Sequence, residues 1–322
     1  MVHQNMARLK FYSGFKFDIH PHCKISLLTK TSDNANNLPN NNIKNKMTDR
    51  YAVIGNPIQH SKSPEIHAEF ARQFGHVITY TRLLAPLEGF REVVETYRLA
   101  GAAGVNVTLP FKVKAFEYAS SASERATAAG AANTLHFLND EVVADNTDGV
   151  GLTRDIRKNL QRAIAGKRVL LLGAGGAARG VIGALLDEAP ASLILANRTY
   201  PKALALVETH PNITSTVFTA APLANLGERQ FDIVINATSA SLQNTVPNLP
   251  PTIFASNSLA YDLMYGKGET AFMLTAAKQG ATASDGLGML VEQAAEAFYV
   301  WRGVMPQTDA IIAAMRRTGK PT

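Results

Sequence analysis

The chain has 322 residues, of which 46% are hydrophobic, and this is enough apolar material for two modest cores, so two domains are expected. Nearly all of the formal net charge of +6 lies in residues 1–46, which hold seven Lys or Arg and two Asp. A nearly neutral body disfavours nucleic acid as a partner, because phosphate binding needs cations on an ordered face, and no apolar run approaches the roughly 18 residues that span a membrane.

Residues 1–46 are expected to form a disordered extension. Seven of the fourteen residues from Asp33 to Lys46 are Asn, and such a segment buries too little apolar surface to offset the entropy of ordering. The single cysteine, Cys23, lies here, so the body has no thiol for a disulfide or a zinc site, and a reducing, cytoplasmic location is expected. Two alternatives stay open: a transit peptide, or a true start at Met47.

Strands and helices are predicted to alternate through the first half of the body. A strand at 51–54 leads to Ser63-Pro64, which is typical of a helix start with Ser63 as N-cap, and Gly75 closes that helix. A hairpin is predicted around Asn139-Asp140. This repetition predicts a mostly parallel sheet. The other elements are strands at 76–84 and 104–108, helices at 87–99, 111–119 and 123–129, and the hairpin strands at 132–137 and 142–145.

The second half is predicted to begin at a boundary near Asp148, followed by a connecting helix at 149–164. Two buried strands, 231–236 and 259–264, end in polar residues, as strands that feed a binding crevice do. Two apolar-striped helices follow from Gly288 to Met315, separated near Gly303 and Pro306, and the long one is expected to pack back onto the first lobe.

The sequence 169–179, Val-Leu-Leu-Leu-Gly-Ala-Gly-Gly-Ala-Ala-Arg, is typical of a dinucleotide-binding β-α-β unit. Gly173 would supply the tight turn, Gly175 would let the backbone approach a pyrophosphate, and the amides of the following helix would meet the phosphates. The next strand ends in Asn197-Arg198-Thr199, with Lys202 nearby, where an NAD enzyme usually carries an acid. Because a cation suits a 2′-phosphate, the predicted cofactor is NADP(H).

A series of short motifs now resembles the shikimate dehydrogenases, including the shikimate/quinate enzymes, from Met47 to about Thr318. Each motif is weak alone, but their order is distinctive. They are Gly55-Asn56-Pro57-Ile58, Ser61-Lys62-Ser63-Pro64, Asn106-Val107-Thr108-Leu109-Pro110-Phe111-Lys112, Gly130-Ala131-Ala132-Asn133-Thr134, Asn146-Thr147-Asp148-Gly149, the glycine loop, Asn197-Arg198-Thr199, Asn236-Ala237-Thr238-Ser239, Tyr261-Asp262, and Asp285-Gly286-Leu287-Gly288-Met289-Leu290 with Gln293.

This resemblance implies a two-lobed α/β fold. Residues 47–148, completed by 287–322, would form a substrate-binding catalytic domain with a mostly parallel sheet. Residues 149–286 would form a doubly wound, Rossmann-type NADP domain, and a C-terminal helix would return to the first lobe.

The resemblance also implies that Lys112 and Asp148 flank the hydroxyl carbon that is oxidised. The chemistry agrees, because an ammonium group stabilises the negative charge that grows on a ketone oxygen during hydride transfer and can donate its proton, while a carboxylate keeps that ammonium charged and oriented. From the residues alone, an alternative stays open: Lys112 is a solvated helix lysine, and Asp148 caps the helix that starts near Gly149.

For the substrate, the resemblance implies that Ser61 and Ser63 hold a carboxylate near a helix start, although Ser63 is equally well explained as the N-cap. Thr108, Asn133 and Asp148 would meet the ring hydroxyls. Tyr261 and Gln293 would close the site.

For the cofactor, the resemblance adds a larger set of residues along the second domain. The pyrophosphate would lie against the glycine loop, the adenosine phosphate beside Arg198, and the nicotinamide side near the later strands. The set is Gly173, Ala174, Gly175, Gly176, Ala177, Asn197, Arg198, Thr199, Lys202, Thr238, Ser239, Leu259, Gly286 and, from the first lobe, Glu124.

The predicted activity is the reversible NADPH-dependent reduction of 3-dehydroshikimate to shikimate, in the biosynthesis of chorismate and the aromatic amino acids. One alternative is a quinate/shikimate dehydrogenase of broader specificity. Another, from a different class, is a non-catalytic NADP(H)-binding regulator, which would be expected to lack the Lys112 and Asp148 pair. No metal is expected, because the histidines lack metal-ligand spacing, and the protein is expected to act on a small molecule as a monomer or homodimer.

Overall fold

The computed structural model describes residues 48–210, 215–243, 245–266 and 268–318. The predicted extension at 1–46 lies outside these described residues. Among the helices of the described part, none combines the length and apolarity that crossing a bilayer requires.

Two six-stranded sheets organise the described part, with helices packed against them. The order in the first sheet is β2-β1-β3-β5-β6-β4, and in the second it is β12-β11-β10-β7-β8-β9. The strands are β1 Asp49–Gly55, β2 Ile78–Leu84, β3 Gly104–Val107, β4 Ser121–Ala122, β5 Thr134–Leu138, β6 Glu141–Asp145, β7 Arg168–Leu172, β8 Ser192–Asn197, β9 Val217–Pro222, β10 Phe231–Asn236, β11 Phe254–Asp262 and β12 Thr282–Asp285.

Helices connect most of these strands. Within the described residues they are α1 Ser63–Gln73, α2 Phe90–Leu99, α3 Lys112–Tyr118, α4 Glu124–Ala129, α5 Asp148–Arg154, α6 Gly176–Asp187, α7 Tyr200–Glu208, α8 Ala271–Lys278, α9 Leu287–Arg302 and α10 Asp309–Thr318.

The second sheet is parallel throughout and has the doubly wound order that the glycine loop predicts. The strand order reverses between β7 and β10, and ligands bind at such a switch point, outside the carboxyl ends of the strands. The first sheet is mixed. Strands β1, β2 and β3 are parallel, while β5 pairs antiparallel with β3 and with β6 across a turn in which Asn139 has φ of 53°. The predicted α/β fold is confirmed.

The C-terminal helix α9 returns to the first sheet, as predicted. Its Trp301 donates a hydrogen bond from Nε1 to the carbonyl of Leu135 at 3.2 Å, and Arg302 pairs with Asp49 on β1. An apolar cluster joins α9 to α1 through Phe70 and Phe298, among others. Burial of this interface ties the end of the chain to its first strand.

The predicted cap at Ser63 is wrong, and the structure also disfavours the alternative in which Asp148 is a cap; both points matter for the site. Helix α1 has Lys62 at its N-cap position without a side-chain cap, so Ser63 does not cap it. Helix α5 begins at Asp148 after Thr147, again without a side-chain cap. The Ser63 hydroxyl instead accepts a hydrogen bond from Ser61 Oγ, and Asp148 pairs with Lys112.

Several elements escaped the sequence analysis. Strands β4 and β12 are short, and β9 lies at a sheet edge where Val217 is exposed, so none has a strong apolar run. Helices α7 and α8 were not predicted either. The predicted helix at 149–164 is shorter, because α5 passes into a π-helical turn over Asp155–Asn159.

Candidate active site

A cleft of about 2280 Å³ runs between the two sheets. The carboxyl ends of β1 and β3 contribute one wall, and the glycine loop after β7 together with the ends of β10 and β11 contributes the other. Chain segments that are far apart in sequence meet here because parallel strands deliver their carboxyl ends to the same edge of a sheet.

Lys112 and Asp148 meet inside this cleft. The Lys112 Nζ donates a hydrogen bond to Asp148 Oδ2, and only 13% of the lysine side chain and 5% of the aspartate side chain are exposed. A pair this shielded is weakly screened by water, so the carboxylate attracts the ammonium group of Lys112 and directs it. The structure therefore disfavours a solvated Lys112 and a capping Asp148.

Asn133 holds the second oxygen of the same carboxylate. Its Nδ2 lies 2.9 Å from Asp148 Oδ1 and 3.0 Å from Gln293 Oε1 on α9. Thr147 completes the network by donating from Oγ1 to the backbone carbonyl of Gln293 at 2.9 Å. Asp148 is thus held at both carboxylate oxygens, by Lys112 at the start of α3 and by Asn133 just before β5, which fixes its direction before any ligand arrives.

Glycines let helix α6, which follows the glycine loop, pack closely against Lys112 and Asp148. A Cβ at Gly180 would lie 2.9 Å from Asp148 Oδ2, and one at Gly149 would lie 2.7 Å from the Cβ of Ala184. Gly176 faces the Lys112 side chain, with its ideal Cβ position 3.6 Å from the lysine Cβ. Helix α6 therefore approaches closely the two residues, Lys112 and Asp148, that the sequence analysis predicted to be catalytic.

Ser61 and Ser63 lie together at the start of α1 and line the cleft. Their hydroxyl oxygens are 3.2 Å apart, and the amide of Ser63 donates to Ser61 Oγ at 3.3 Å. Arg82 braces this loop from β2: its Nη2 donates to the carbonyl of Ser61 at 2.6 Å and to Glu65 at 2.7 Å. Arg82 gave no signal in the sequence.

Asn106 and Thr108 stand at the end of β3 and also line the cleft. Tyr80 donates from its buried hydroxyl to Asn106 Oδ1 at 2.7 Å, which turns the amide nitrogen of Asn106 towards Thr134 Oγ1 at 3.1 Å. Asn106 belongs to a motif that the sequence analysis singled out, but its own role was missed there.

The glycine loop has the shape that a dinucleotide requires. Gly173 has φ of +105°, and a Cβ there would lie 3.0 Å from the carbonyl oxygen of Ala237, so only glycine fits. A Cβ at Gly175 would meet nothing within 4 Å, which leaves open space where the loop faces the cleft. Helix α6 starts at Gly176 and presents its free amides there, as phosphate sites do.

Most of the other predicted cofactor residues also line the cleft. Arg198 follows β8, and Thr238 follows β10 with its hydroxyl bonded to Asn236 Oδ1 at 2.7 Å. Gly286 lies so close to β11 that a Cβ would sit 2.3 Å from the carbonyl oxygen of Leu263. The remaining members that line the cleft are Ala174, Ala177, Asn197 and Ser239.

Two predicted positions are corrected by the structure. Tyr261 does not line the cleft: its side chain is fully buried in the core of the second sheet, and its hydroxyl donates to Asp155 at 2.6 Å. Leu259 is buried in the same core. Both belong to β11 and point to the same face, because side chains alternate along a strand.

The cleft instead receives Leu263, Met264 and Tyr265, just beyond the end of β11. Burial raises the pKa of the Tyr265 hydroxyl, which therefore stays protonated. Each residue that was misplaced lies four positions before one that lines the cleft. The sequence analysis could have found the correct residues, because residues that follow a parallel strand, and not those within it, reach the crevice.

Three further predicted residues lie away from the cleft lining. Thr199 precedes α7 and accepts a hydrogen bond at its carbonyl from Asn197 Nδ2 at 2.9 Å, and Lys202 is exposed on α7. Glu124 begins α4. Their contacts with a cofactor stay predictions. Across the described ranges, no group of three or more His, Cys, Asp or Glu side chains is arranged to hold a metal ion.

Comparisons with known proteins agree on one family. Three family models match: the shikimate dehydrogenase substrate binding domain over residues 53–135, shikimate / quinate 5-dehydrogenase over 155–246, and the shikimate 5′-dehydrogenase C-terminal domain over 286–316. The chain is 58% identical over 271 residues to the shikimate dehydrogenase (NADP(+)) of Aromatoleum aromaticum, covering 84% of this chain and 97% of that protein. It is 57% identical to the enzyme of the same name from Janthinobacterium, with 84% and 97% covered.

Solved structures give the same result. An Ael1 enzyme from Pseudomonas putida superposes with a TM-score of 0.78 at 48% identity, covering 83% of this chain and 98% of that one. The shikimate 5-dehydrogenase of Thermus thermophilus, solved in complex with NADP(H) and shikimate, superposes with a TM-score of 0.74 at 33% identity, covering 84% and 99%.

Proposed function

Because this chain belongs to the shikimate dehydrogenase family, we propose that it catalyses the reversible NADPH-dependent reduction of 3-dehydroshikimate to shikimate, a step in the biosynthesis of chorismate and aromatic amino acids. It is an NADP-dependent oxidoreductase. The observation that carries the assignment to this particular site is the shielded Lys112 and Asp148 pair, facing a glycine loop across one cleft.

The two sides of the cleft have separate tasks in this proposal. Residues 47–148, completed by 287–322, bind the substrate, and residues 149–286 bind NADP(H). The two-sheet architecture supports this division, because the strands of the first sheet lie between Asp49 and Asp145 and those of the second between Arg168 and Asp285.

NADPH, when bound, supplies the hydride. Lys112 holds the carbonyl oxygen of the ketone by a hydrogen bond from its ammonium group and gives that oxygen a proton as negative charge develops on it. Asp148 accepts a hydrogen bond from Lys112 and so directs its ammonium group. In the reverse direction the neutral lysine takes the hydroxyl proton back.

Binding of the substrate is assigned to hydroxyl and amide groups of the first lobe. Ser61 and Ser63 bind the carboxylate, and the adjacent N-terminus of α1 adds a favourable potential. Thr108, Asn133 and Gln293 bind the ring hydroxyls together with Asp148. The close spacing of the serine hydroxyls supports this assignment, since both can donate to one carboxylate.

Binding of the cofactor is assigned to the glycine loop and the ends of β8 and β10. The amides at the start of α6 would hold the pyrophosphate, and the guanidinium of Arg198 would pair with the adenosine 2′-phosphate. Asn197, Thr199 and Lys202 would complete that phosphate site, with Glu124 contributing from the first lobe.

The direct test measures NADPH and NADH absorbance with 3-dehydroshikimate, shikimate, quinate and 3-dehydroquinate. The expected result is rapid turnover of the shikimate pair with NADP(H). Equal turnover of the quinate pair would indicate the broader quinate/shikimate enzyme, and NADPH binding without turnover would indicate a regulator. The proposed setting is the cytoplasm, as a monomer or homodimer, because the body beyond Cys23 has no cysteine that an oxidising compartment would pair.

A further inference from the structure

Asp155 is a completely buried carboxylate at the far end of the helix that Asp148 begins. Its Oδ2 accepts a hydrogen bond from the Tyr261 hydroxyl at 2.6 Å, and its Oδ1 accepts one from Asn159 Nδ2 at 2.8 Å. Arg316 acts on it only at longer range and pairs with Asp285 at 3.9 Å. Burying an acid this way is costly, so these two hydrogen bonds must be kept for the site to be stable.

Helix α9 is shaped around this carboxylate. A Cβ at Gly288 would lie 1.9 Å from Asp155 Oδ1, so only glycine leaves room for the acid. Nearer the active site, a Cβ at Gly151 would lie 2.6 Å from the Cβ of Gln293. The two glycines lock α5 and α9 together along their length, and this helix pair carries Asp148 at one end of α5 and Gln293 on α9.

The chain at Asp155 is also irregular. Helix α5 changes there into a π-helical turn over Asp155–Asn159, closed by a hydrogen bond from the Leu160 amide to the Asp155 carbonyl at 2.9 Å. Such turns inside helices are frequent at functional sites, because they re-aim the residues around them. Here the turn lets Asn159 reach back to the carboxylate.

Tyr261 connects this helix pair to the cofactor-side sheet. It lies in the middle of an apolar core with Ile233 and Ile235, so its hydroxyl is a polar group in otherwise apolar surroundings. Only a short stretch of chain separates it from Leu263, Met264 and Tyr265, which line the cleft. The bond to Asp155 therefore joins β11, on the side of the cofactor, to α5, which starts at the catalytic aspartate.

We propose that Tyr261 is a positioning residue, which acts through Asp155 to set the distance between the cofactor-side sheet and the helix pair that carries Asp148 and Gln293. This inference rests on the proposed function, because the distance it controls is the one across which hydride passes. Small changes in such a distance have a large effect on the rate, because a displacement of about 1 Å can lower the rate by about 100-fold.

The test compares Tyr261→Phe with the wild-type enzyme, using NADPH and NADPH deuterated at the transferred position. The expected result is a kcat lower by about tenfold, KM values changed by less than about twofold, and a larger primary deuterium isotope effect, because hydride transfer then limits turnover more fully. Asp155→Asn keeps an acceptor for the tyrosine and should retain most of the rate. Asp155→Ala should behave like Tyr261→Phe.

Tyr97→Phe is the matched control. Its hydroxyl is also buried and donates to the Tyr51 carbonyl at 2.8 Å, but Tyr97 lies on α2 and packs in the core of the first sheet, in a cluster that includes no residue of α5 or β11. This variant should lose stability without a change in isotope effect. If Tyr261→Phe likewise loses only stability, with its isotope effect unchanged, the tyrosine is merely structural and the inference is wrong.

Failure of the proposed function can be told apart from failure of this inference. If the wild-type protein turns over neither the shikimate nor the quinate pair, the proposed function fails, and amide hydrogen exchange then decides the inference. Faster exchange over residues 148–154 in Tyr261→Phe than in Tyr97→Phe would support the positioning role. Equal exchange in the two variants would overturn it.

Discussion

At the scale of single residues, a second lysine, Lys114, serves as a control for Lys112, the proposed catalytic lysine. Lys112 and Lys114 lie on the same helix, but Lys112 points into the cleft and bonds Asp148, whereas Lys114 Nζ donates to the Leu87 carbonyl at 2.8 Å. Side chains that are two residues apart on a helix point in different directions. The role of a lysine in this helix therefore depends on its position and not on its residue type alone.

Replacing Lys112 by alanine is expected to lower kcat by at least about 100-fold, because the proton donor to the ketone oxygen is lost. Affinity for NADPH should stay unchanged, since the glycine loop is untouched. Steady-state kinetics and a fluorescence titration of NADPH measure the two quantities. Lys114→Ala should retain wild-type kcat. A Lys112→Ala enzyme with near wild-type kcat would refute the assignment.

Arg198→Asp is expected to lower the ratio of kcat/KM for NADPH over NADH by about tenfold or more, because a charge-assisted bond to the 2′-phosphate is replaced by repulsion. Measurement of both cofactors at saturating 3-dehydroshikimate gives the ratio. Arg229→Asp makes the same charge change at an exposed loop position outside the cleft and should leave the ratio as it is. An unchanged ratio in Arg198→Asp would show that Arg198 does not bind the 2′-phosphate.

At the scale of elements, helix α6 presents its first amides at the cleft, where the pyrophosphate is proposed to bind, and also packs against Asp148. Its first turn lines the cleft, and one turn later Gly180 faces Asp148. Glycine weakens a helix interior, so its presence here has a packing reason. Helix α6 lies so close to the start of α5 that a side chain at position 180 would crowd Asp148.

Gly180→Ala is expected to lower kcat by about tenfold, because the added methyl would lie 2.9 Å from Asp148 Oδ2 and push the carboxylate out of line with Lys112. Helix propensity would improve at the same time by up to about 1 kcal/mol, so the melting temperature should fall little. Kinetics and thermal unfolding distinguish the two effects.

Gly183→Ala is the control on the same helix, since a Cβ there would meet nothing within 4 Å. It should keep wild-type kcat and unfold at an equal or higher temperature. If both variants keep wild-type kcat, the close packing of α6 against Asp148 has no catalytic consequence.

Strand β11 shows where element-level reasoning from sequence ends. The sequence analysis recognised its apolar run and its polar end. It placed Tyr261 and Leu259 in the cleft, however, whereas both lie in the core. Both faces of this strand are buried, with Leu259 and Tyr261 in one core and Ala260 in another, so periodicity does not say which residues lie within the strand and which lie beyond its end, in the cleft. That choice depends on the register with β10 and β12, which the structure supplies.

At the scale of the whole molecule, the carboxylate of Glu296 links three helices, α4, α5 and α9. Glu296 on α9 pairs through Oε1 with Arg125 on α4 and through Oε2 with Arg154 on α5, both at 2.9 Å. Its side chain is only 12% exposed, so water screens these pairs weakly. Arg125 also binds Asp145 at the end of β6.

Glu296→Gln is expected to lower the free energy of unfolding by about 1–3 kcal/mol, because two partly buried arginines each lose one of their carboxylate partners while the shape is kept. Urea unfolding followed by circular dichroism measures this. Glu88→Gln, at an ion pair with Lys114 whose glutamate is 92% exposed, should leave stability almost unchanged. Equal effects of the two substitutions would show that Glu296 has no special connecting role.

Local sequence determined the parts of this protein that depend on neighbouring residues. The glycine loop with its flanking strand predicted a dinucleotide site, the Asn-Arg-Thr end of β8 predicted the phosphate preference, and the order of motifs predicted the family. Each of these is a property of a short segment whose backbone conformation and chemistry are set by its own residues.

Only the tertiary structure decided which polar groups face one another. Lys112 and Asp148 are 36 residues apart, and Tyr261 and Asp155 are 106 apart, so their contacts exist only after two sheets and α9 have packed together. That packing also removed the alternative roles of Ser63 and Asp148 as helix caps. The direction of a side chain at an element's end follows from what packs against it, and no local pattern encodes that.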